Sequence, residues 1–171
     1  MKTTTVIGLM SGTSLDGVDI AACNFWTTGS GGIGYKLHIA ETIAYPKDWR
    51  QRLIAAPSLT GLELTRLDID YGNYLGDITK NFIGRHKVKP HFIASHGHTV
   101  FHQPHQGITL QAGNGACLAA KTGLKVISDF RSLDVALGGQ GAPLVPIGDK
   151  LIFGEYEYCL NLGGFSNISM D

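Results

Sequence analysis

The feature that most constrains the fold is a short turn, rich in glycine and hydroxyl side chains, between two apolar runs near the start of the sequence. Residues 5–10 and 18–25 are predicted strands, so the turn between them predicts a β-hairpin. A third strand is predicted over residues 35–44. Three strands in hairpin order, followed by alternating helices and strands, indicate one mixed sheet.

A long helix gives the clearest signal in the middle of the sequence. Thr60 and Glu63 form a capping box, and apolar residues recur at spacings of three and four over residues 64–82. Gly72 and Gly76 each cost about 1 kcal/mol relative to alanine, so close packing against a neighbour is expected there. The other predicted elements are helices at 46–55, 114–121 and 146–153, and strands at 91–95, 108–111, 125–128 and 158–162.

This order predicts an α/β fold with a ribonuclease-H-like mixed sheet and helices on both faces. Residues 29–34 match the pattern G-x-G-x-x-G, but the alternation after them is that of a strand. A hairpin loop is therefore expected there instead of a dinucleotide site. Asp68, in the long helix, is expected on a solvated face. The strands that end near His96 and Asp129 predict a ligand site at their carboxyl ends.

Charge and cysteine usage exclude several classes of function. Fourteen basic residues balance fourteen acidic ones, so no electrostatic footprint for nucleic acid or an anionic membrane is present. No run of about 18 apolar residues occurs, so no membrane-spanning helix is predicted. The three cysteines form no C-x-x-C pair and are expected to be buried thiols in a reducing compartment. With no signal-peptide pattern at the start, a cytoplasmic protein is expected.

The first turn gathers groups that suit a nucleotide triphosphate. Glycines let a backbone approach an anion closely, hydroxyls add donors, and a carboxylate such as that of Asp16 can hold hydrated Mg²⁺. An ordinary Gly-Ser hairpin turn explains the same residues equally well. No Walker-type loop occurs, so the turn would have to bind phosphate without a lysine. The candidate cofactor-binding residues are Ser11, Gly12, Thr13, Ser14, Leu15, Asp16, Gly17 and Asp19, with Asp16 as the candidate metal ligand.

Five blocks of sequence resemble one known family, the anhydro-N-acetylmuramic acid kinases. They lie in the family's order along the whole chain, and they read MSGTSLDGVD at 10–19, SHGHTV at 95–100, DFRSLD at 129–134, GGQGAPLVP at 138–146 and LNLGGFSNI at 160–168. His98 stands where the family is expected to carry glutamine, which puts the role of that position in doubt.

The resemblance implies a two-lobed kinase of the actin and hexokinase type. Such a kinase uses ATP and Mg²⁺ to open and phosphorylate 1,6-anhydro-N-acetylmuramic acid in cell-wall sugar recycling. It adds Gly163 and Gly164 to the cofactor-binding residues. It places the sugar near His96, Gly97, Thr99, Asp129 and Arg131.

The resemblance also implies that this chain is an N-terminal portion. Residues 1–154 are expected to form the first lobe, and residues 155–171 the first strands of the second. The family's catalytic base is expected beyond residue 171, so the chain alone is expected to be inactive.

Three questions stay open from the sequence. Arg131 would clamp the lactyl carboxylate of the sugar, join an ion-pair network with Asp129 and Asp134, or do both. The chain would be either part of the kinase or a non-catalytic ligand-binding module. A metal-dependent hydrolase built on the histidines between His96 and His105 is a weaker alternative. The exposed edge of the last hairpin also predicts a surface for homodimerisation.

Overall fold

The computed structural model describes residues 2–29, 31–162 and 166–170. The strands are β1 (Thr4–Ser11), β2 (Gly17–Thr27), β3 (Ile33–Ala44), β4 (Phe92–Gln103), β5 (Ile108–Ala112), β6 (Lys125–Ser128), β7 (Tyr158–Leu162) and β8 (Ser166–Met170). The α-helices are α1 (Lys47–Ala55), α2 (Gly61–His86), α3 (Gly115–Thr122), α4 (Ser132–Ala136) and α5 (Val145–Ile152).

The first six strands form one mixed sheet. β1, β2 and β3 are antiparallel neighbours, and β1 runs parallel to β4 on its other side. The first half of β4 is also parallel to β6, whereas its second half pairs with β5 in an antiparallel hairpin. The resulting order, β3-β2-β1-β4 with β6 and β5 both paired to β4, confirms the predicted ribonuclease-H-like mixed sheet.

The prediction that a strand ends at His96 is wrong, because β4 continues to Gln103. Gly97 explains the continuation. It has a left-handed φ of 73°, and a Cβ at this position would lie 2.5 Å from the carbonyl oxygen of Ala112. Glycine therefore lets the strand bend where the pairing on one edge of β4 changes from β6 to β5. His96 consequently lies inside a strand.

One face of the sheet, which we call the covered face, carries the main hydrophobic core. Its large aliphatic side chains include Ile7, Leu9, Ile20 and Ile93, each at most 4% exposed. Helices α1, α2 and α3 pack against them as one contiguous cluster. This layer is what the three-and-four spacing of the long helix predicted.

The opposite face, which we call the open face, is lined with small residues. Gly8, Ala21, Ala40 and Ala94 lie side by side across β1, β2, β3 and β4. Larger apolar side chains beside this row stay exposed, and they are Met10, Leu37 and Ile127. α5 contacts β3 on this side, where the rings of Phe153 and Tyr35 meet edge to face at 5.7 Å. Helices thus contact both faces, as predicted, but they cover them unequally.

The long helix α2 is built as its sequence predicted. The capping box of Thr60 and Glu63 is present. A Cβ on Gly72 would lie 2.5 Å from the carbonyl oxygen of Asn114, and one on Gly76 would lie 2.6 Å from Lys121. The two glycines therefore allow α3 to approach closely, as expected.

Asp68 was wrongly expected on a solvated face. Its carboxylate accepts hydrogen bonds of 2.8 Å from the Gly113 backbone N–H and the Asn114 side-chain amide. The side chain thereby ties α2 to the loop between β5 and α3.

The end of the described chain forms a smaller unit. β7 and β8 pair with each other in a two-stranded sheet separate from the main one.

The three cysteines are free and only half-buried, so the expectation of buried thiols is wrong. Within the described ranges, no helix combines the length and apolar character needed to cross a membrane.

Candidate functional site

The turn between β1 and β2 stands at the carboxyl end of β1. Leu15 adopts a left-handed φ of 57°, and its N–H donates to the Gly12 carbonyl oxygen at 3.4 Å. Tyr45, which follows β3, stabilises the turn by donating its backbone N–H to the Asp16 carbonyl oxygen at 3.2 Å. Gly17 is required for strand pairing, because a Cβ there would lie 2.5 Å from the Ile43 carbonyl oxygen. This is a structural reason for Gly17, beside the predicted approach of an anion.

The tip of the turn presents polar groups to solvent. Thr13, Ser14 and Asp16 are exposed. The Asp16 carboxylate accepts the Ser14 hydroxyl at 2.5 Å and the Gly17 N–H at 3.1 Å. These bonds, the Ser14 hydroxyl above all, lower the pKa of Asp16, so the carboxylate is ionised at neutral pH. An ionised oxygen ligand beside hydroxyl donors fits Mg²⁺ and phosphate chemistry.

The two ends of the turn direct their side chains to opposite faces of the sheet. Ser11 is 2% exposed and points to the covered face, where it meets the hydroxyls of Tyr45 and Tyr71. Asp19 lies on the open face, and its carboxylate accepts the Thr42 hydroxyl at 2.5 Å. The structure therefore separates Ser11 and Asp19 from the exposed tip that holds Asp16.

A second polar cluster joins β4 to the segment after β6. Arg131 donates from Nε and Nη2 to His96 Nε2, at 3.0 and 2.9 Å, and from Nη1 to the Gly141 carbonyl oxygen at 2.6 Å. Because Nε2 accepts, the neutral His96 ring carries its proton on Nδ1, which lies 2.9 Å from the Gly97 carbonyl oxygen. Burial, and secondarily the Arg131 charge, lowers the pKa of His96. Burial also lowers the pKa of Arg131.

The acidic residues around Arg131 bind backbone and hydroxyl groups. Asp129, with a left-handed φ of 59°, accepts the Ser132 N–H at 3.3 Å and the Ser132 hydroxyl at 2.5 Å, at the first residue of α4. Asp134 accepts the Gly141 N–H at 2.7 Å. Within the described ranges no ion pair forms between Arg131 and either carboxylate. The alternative of an ion-pair network around Arg131 is therefore wrong.

A polar cavity of about 280 Å³ lies beside this cluster, between the middle of β4 and the carboxyl end of β6. Its lining includes His96 and Asp129 from the predicted set, and Ser95, Gln111 and Asn114, which the prediction missed. Ser95 Oγ is buried and has no hydrogen-bond partner in the part of the chain that the structure describes. The N-cap signal of Asn114 marked a helix start but gave no hint that its loop borders a cavity.

The remaining predicted site residues are spread more widely. Thr99 pairs with Gln111 in the β4–β5 hairpin. His102 and His105 make their hydrogen bonds with Thr109 and Gln106. Nowhere among residues 2–29, 31–162 and 166–170 do three or more His, Cys, Asp or Glu side chains gather as a metal site. Gly163 and Gly164 lie outside the described residues, so their predicted role stays a prediction.

Comparison with known proteins identifies related sequences. A family model described as "Anhydro-N-acetylmuramic acid kinase" matches residues 4–170. A protein of that name from Pseudomonas putida is 41% identical over 175 residues, which cover 96% of this chain and 46% of the relative. One from Acinetobacter baylyi is 39% identical over 177 residues, which cover 96% and 44%. The chain thus spans about half the length of the curated relatives that it matches.

Among solved structures, Thermus thermophilus RuvC matches with 13% identity and a TM-score of 0.37, covering 90% of this chain and 81% of RuvC. This likeness is too slight to support an argument about function.

Proposed function

The chain belongs to the anhydro-N-acetylmuramic acid kinase family, and we propose that the whole protein phosphorylates 1,6-anhydro-N-acetylmuramic acid with ATP and Mg²⁺. In this reaction water adds to C1 and opens the anhydro bridge, O6 takes the γ-phosphoryl group, and ADP leaves. The product is N-acetylmuramate 6-phosphate, which serves the recycling of cell-wall sugars. The observation that carries the proposal is the family match over residues 4–170.

We assign the nucleotide side of the reaction to the turn after β1. Phosphoryl transfer depends on positioning the phosphates and neutralising their charge. The exposed hydroxyls of Thr13 and Ser14 and the ionised carboxylate of Asp16 form a donor set that fits ATP with Mg²⁺. The Thr13 backbone N–H makes no hydrogen bond to another described residue, so it is available to a phosphate oxygen. When bound, ATP with Mg²⁺ supplies the phosphoryl group.

The sugar side of the proposal rests on the cluster around His96. Three of the five N–H groups of Arg131 are used by His96 and Gly141, which leaves two for a ligand. A guanidinium held this firmly is well suited to the lactyl carboxylate of the sugar. Asp129 and Thr99 complete the proposed set, with Gly97 allowing the strand to bend beside them.

We also propose how the chain is divided between the two lobes. Residues 1–154 form the first lobe, and residues 155–171 begin the second. The separate pairing of β7 with β8 supports this boundary. In the proposal the catalytic base lies in the second lobe, so this chain alone binds ligand without turnover.

The reaction belongs to the cytoplasm, where ATP is supplied, and the exposed apolar side chains of β7 and β8 are the proposed homodimer contact.

Release of ADP tests this function directly. A chimera that continues residue 171 into the second half of the Pseudomonas putida relative is incubated with ATP, Mg²⁺ and the anhydro sugar. We expect one ADP per phosphorylated sugar, no ADP without sugar, and no turnover by the 171-residue chain. A folded chimera that releases no ADP, or that releases ADP equally without sugar, would refute the proposal. In the chimera, Asp16→Asn should lower turnover at least about tenfold, because it removes the charge proposed to hold the metal.

A further inference from the structure

Three hydroxyl groups form a closed triangle beneath the turn, on the covered face. They come from Ser11 at the end of β1, Tyr45 after β3, and Tyr71 on α2. The oxygen–oxygen distances are 2.5 Å from Ser11 to Tyr45, 2.5 Å from Tyr45 to Tyr71, and 2.8 Å from Tyr71 to Ser11. Ser11 and Tyr71 are almost fully buried, so water does not compete for these contacts.

Counting protons settles the direction of each hydrogen bond in the triangle. Three hydroxyls carry three protons, and there are three short contacts to fill. The geometry makes the Tyr71 hydroxyl a donor to Ser11 Oγ. Ser11 must then donate to Tyr45, and Tyr45 to Tyr71. With Tyr71 fixed as the donor to Ser11, any other assignment would leave two of these oxygens at 2.5 Å with no proton between them.

The direction of these bonds decides the state of His98. Its Nδ1 lies 3.3 Å from Ser11 Oγ. Because the only proton of Ser11 is directed at Tyr45, Ser11 can only accept from the imidazole. His98 therefore carries a proton on Nδ1. Burial, and secondarily the neighbouring His96, lowers the pKa of His98, which favours the neutral ring. In a neutral ring with Nδ1–H, Nε2 is left as an acceptor.

We propose that Ser11, Tyr45 and Tyr71 are positioning residues that hold His98 in the Nδ1–H tautomer, so that Nε2 accepts a hydrogen bond from a hydroxyl or amide N–H of the ligand. His98 pairs with Ser11 in the β1–β4 ladder, directly behind the turn. Its Nε2 makes no hydrogen bond to another described residue. An acceptor here favours the O–H and N–H groups of an amino sugar and disfavours a fully ionised phosphate. The ligand contact rests on the proposed function, whereas the tautomer does not.

Long-range ¹H–¹⁵N spectra of the chain with ¹⁵N-labelled histidine test the tautomer. We expect a protonated Nδ1 and an unprotonated Nε2 on His98. Tyr45→Phe releases the Ser11 proton towards Nδ1, so the variant should shift the population towards Nε2–H. Tyr74→Phe is the matched control, because Tyr74 belongs to the same aromatic cluster and its buried hydroxyl has no partner among the described residues.

Each outcome of these spectra either supports or overturns the positioning role of Ser11, Tyr45 and Tyr71. A wild-type His98 protonated on Nε2 would overturn it without any variant, so a failure of Tyr45→Phe to fold does not block the test. An unchanged tautomer in folded Tyr45→Phe would also overturn it. So would an equal shift in Tyr74→Phe, because that would reflect general packing of the aromatic cluster.

Titration with N-acetylmuramic acid tests the ligand contact, with inorganic phosphate as the comparison. We expect the His98 Nε2 resonance to move towards the hydrogen-bonded range with the sugar and to stay in place with phosphate. Sugar binding that shifts only the His96 resonances would overturn the role of His98 and leave the proposed function intact. No response from either histidine would refute the ligand contact and count against the proposed sugar site, while the tautomer result would stand.

Discussion

The two faces of the central sheet are made by the same strands, yet they differ in what they can bury alone. On the covered face, branched aliphatic side chains such as Ile7 and Ile93 are fully buried beneath three helices. On the open face, the alternate positions carry glycine and alanine, and Met10 and Ile127 remain exposed. Period-two alternation therefore identifies which side chains share a face, whereas the size of those side chains decides which face contributes more to the stability.

The largest expected effect contrasts one residue from each face of β1. Ile7→Ala should lower the free energy of unfolding by about 2–5 kcal/mol, because it leaves a cavity in a closed core. Met10→Ala should cost less than about 1 kcal/mol, since its side chain is 44% exposed. Urea unfolding followed by circular dichroism measures both. Equal losses would mean that the open face is buried in solution.

A second contrast tests how tightly the helices over the covered face pack. Gly72→Ala should destabilise by about 1–3 kcal/mol, because its Cβ would meet the Asn114 backbone. Gly84→Ala, in the same helix, has no atom within 4 Å of the added Cβ and should stabilise by about 0.5–1 kcal/mol. Thermal unfolding of the pair gives the sign of each change. A stabilising Gly72→Ala would contradict the close α2–α3 contact.

Lowering the pH should reduce the free energy of unfolding through the buried imidazole rings of His96 and His98. The pKa values of His96 and His98 are lowered, so at mildly acidic pH the unfolded chain binds more protons than the folded one. The two neutral imidazoles contribute fully to the free energy of unfolding above about pH 6.5. Below that pH the free energy of unfolding falls by up to about 1.4 kcal/mol per pH unit for each histidine. His98→Gln should flatten this dependence in urea unfolding between pH 7 and 5. An unchanged slope would show that His98 does not titrate as inferred.

The smallest expected effect lies on the open face. A Cβ on Gly8 would meet no atom within 4 Å, so Gly8→Ala should be neutral or stabilising by up to about 1 kcal/mol. The measurement is again the midpoint of urea unfolding. A marked loss of stability would mean that another layer approaches Gly8 in solution.

Local signals predicted most of the fold. Thr60 with Glu63 marked the start of α2, and Asn114 with Gly123 marked the two ends of α3. The short helix α4 was missed because its N-cap, Arg131, provides no side-chain capping bond, and Asp129, which binds the first N–H of the helix, had been considered only as a ligand residue. The extent of β4 was missed because Gly97 resembles a strand end, whereas the Ala112 carbonyl that lies close to it belongs to another strand.

The site was less predictable, because its contacts join residues that are distant in sequence. Arg131 was predicted as a sugar-binding candidate from its own neighbourhood, but its partner His96 lies 35 residues away. No local pattern reports such a pairing. The same holds for Ser11 and Tyr71, whose hydrogen bond spans 60 residues. Residue types indicated the chemistry, and the sheet topology decided which residues meet.

The parallel pairing of β1 with β4 also bears on how the chain folds. β1, β2 and β3 are joined by short turns and can form from neighbours in sequence, whereas Val6 meets Phe92, 86 residues further along. Closing so long a loop costs conformational entropy before any contact compensates for it. β5 and β6 both pair with β4, so they are connected to β1, β2 and β3 only through the pairing of β4 with β1. We therefore expect the folding rate to depend on the encounter between the first strand and the fourth.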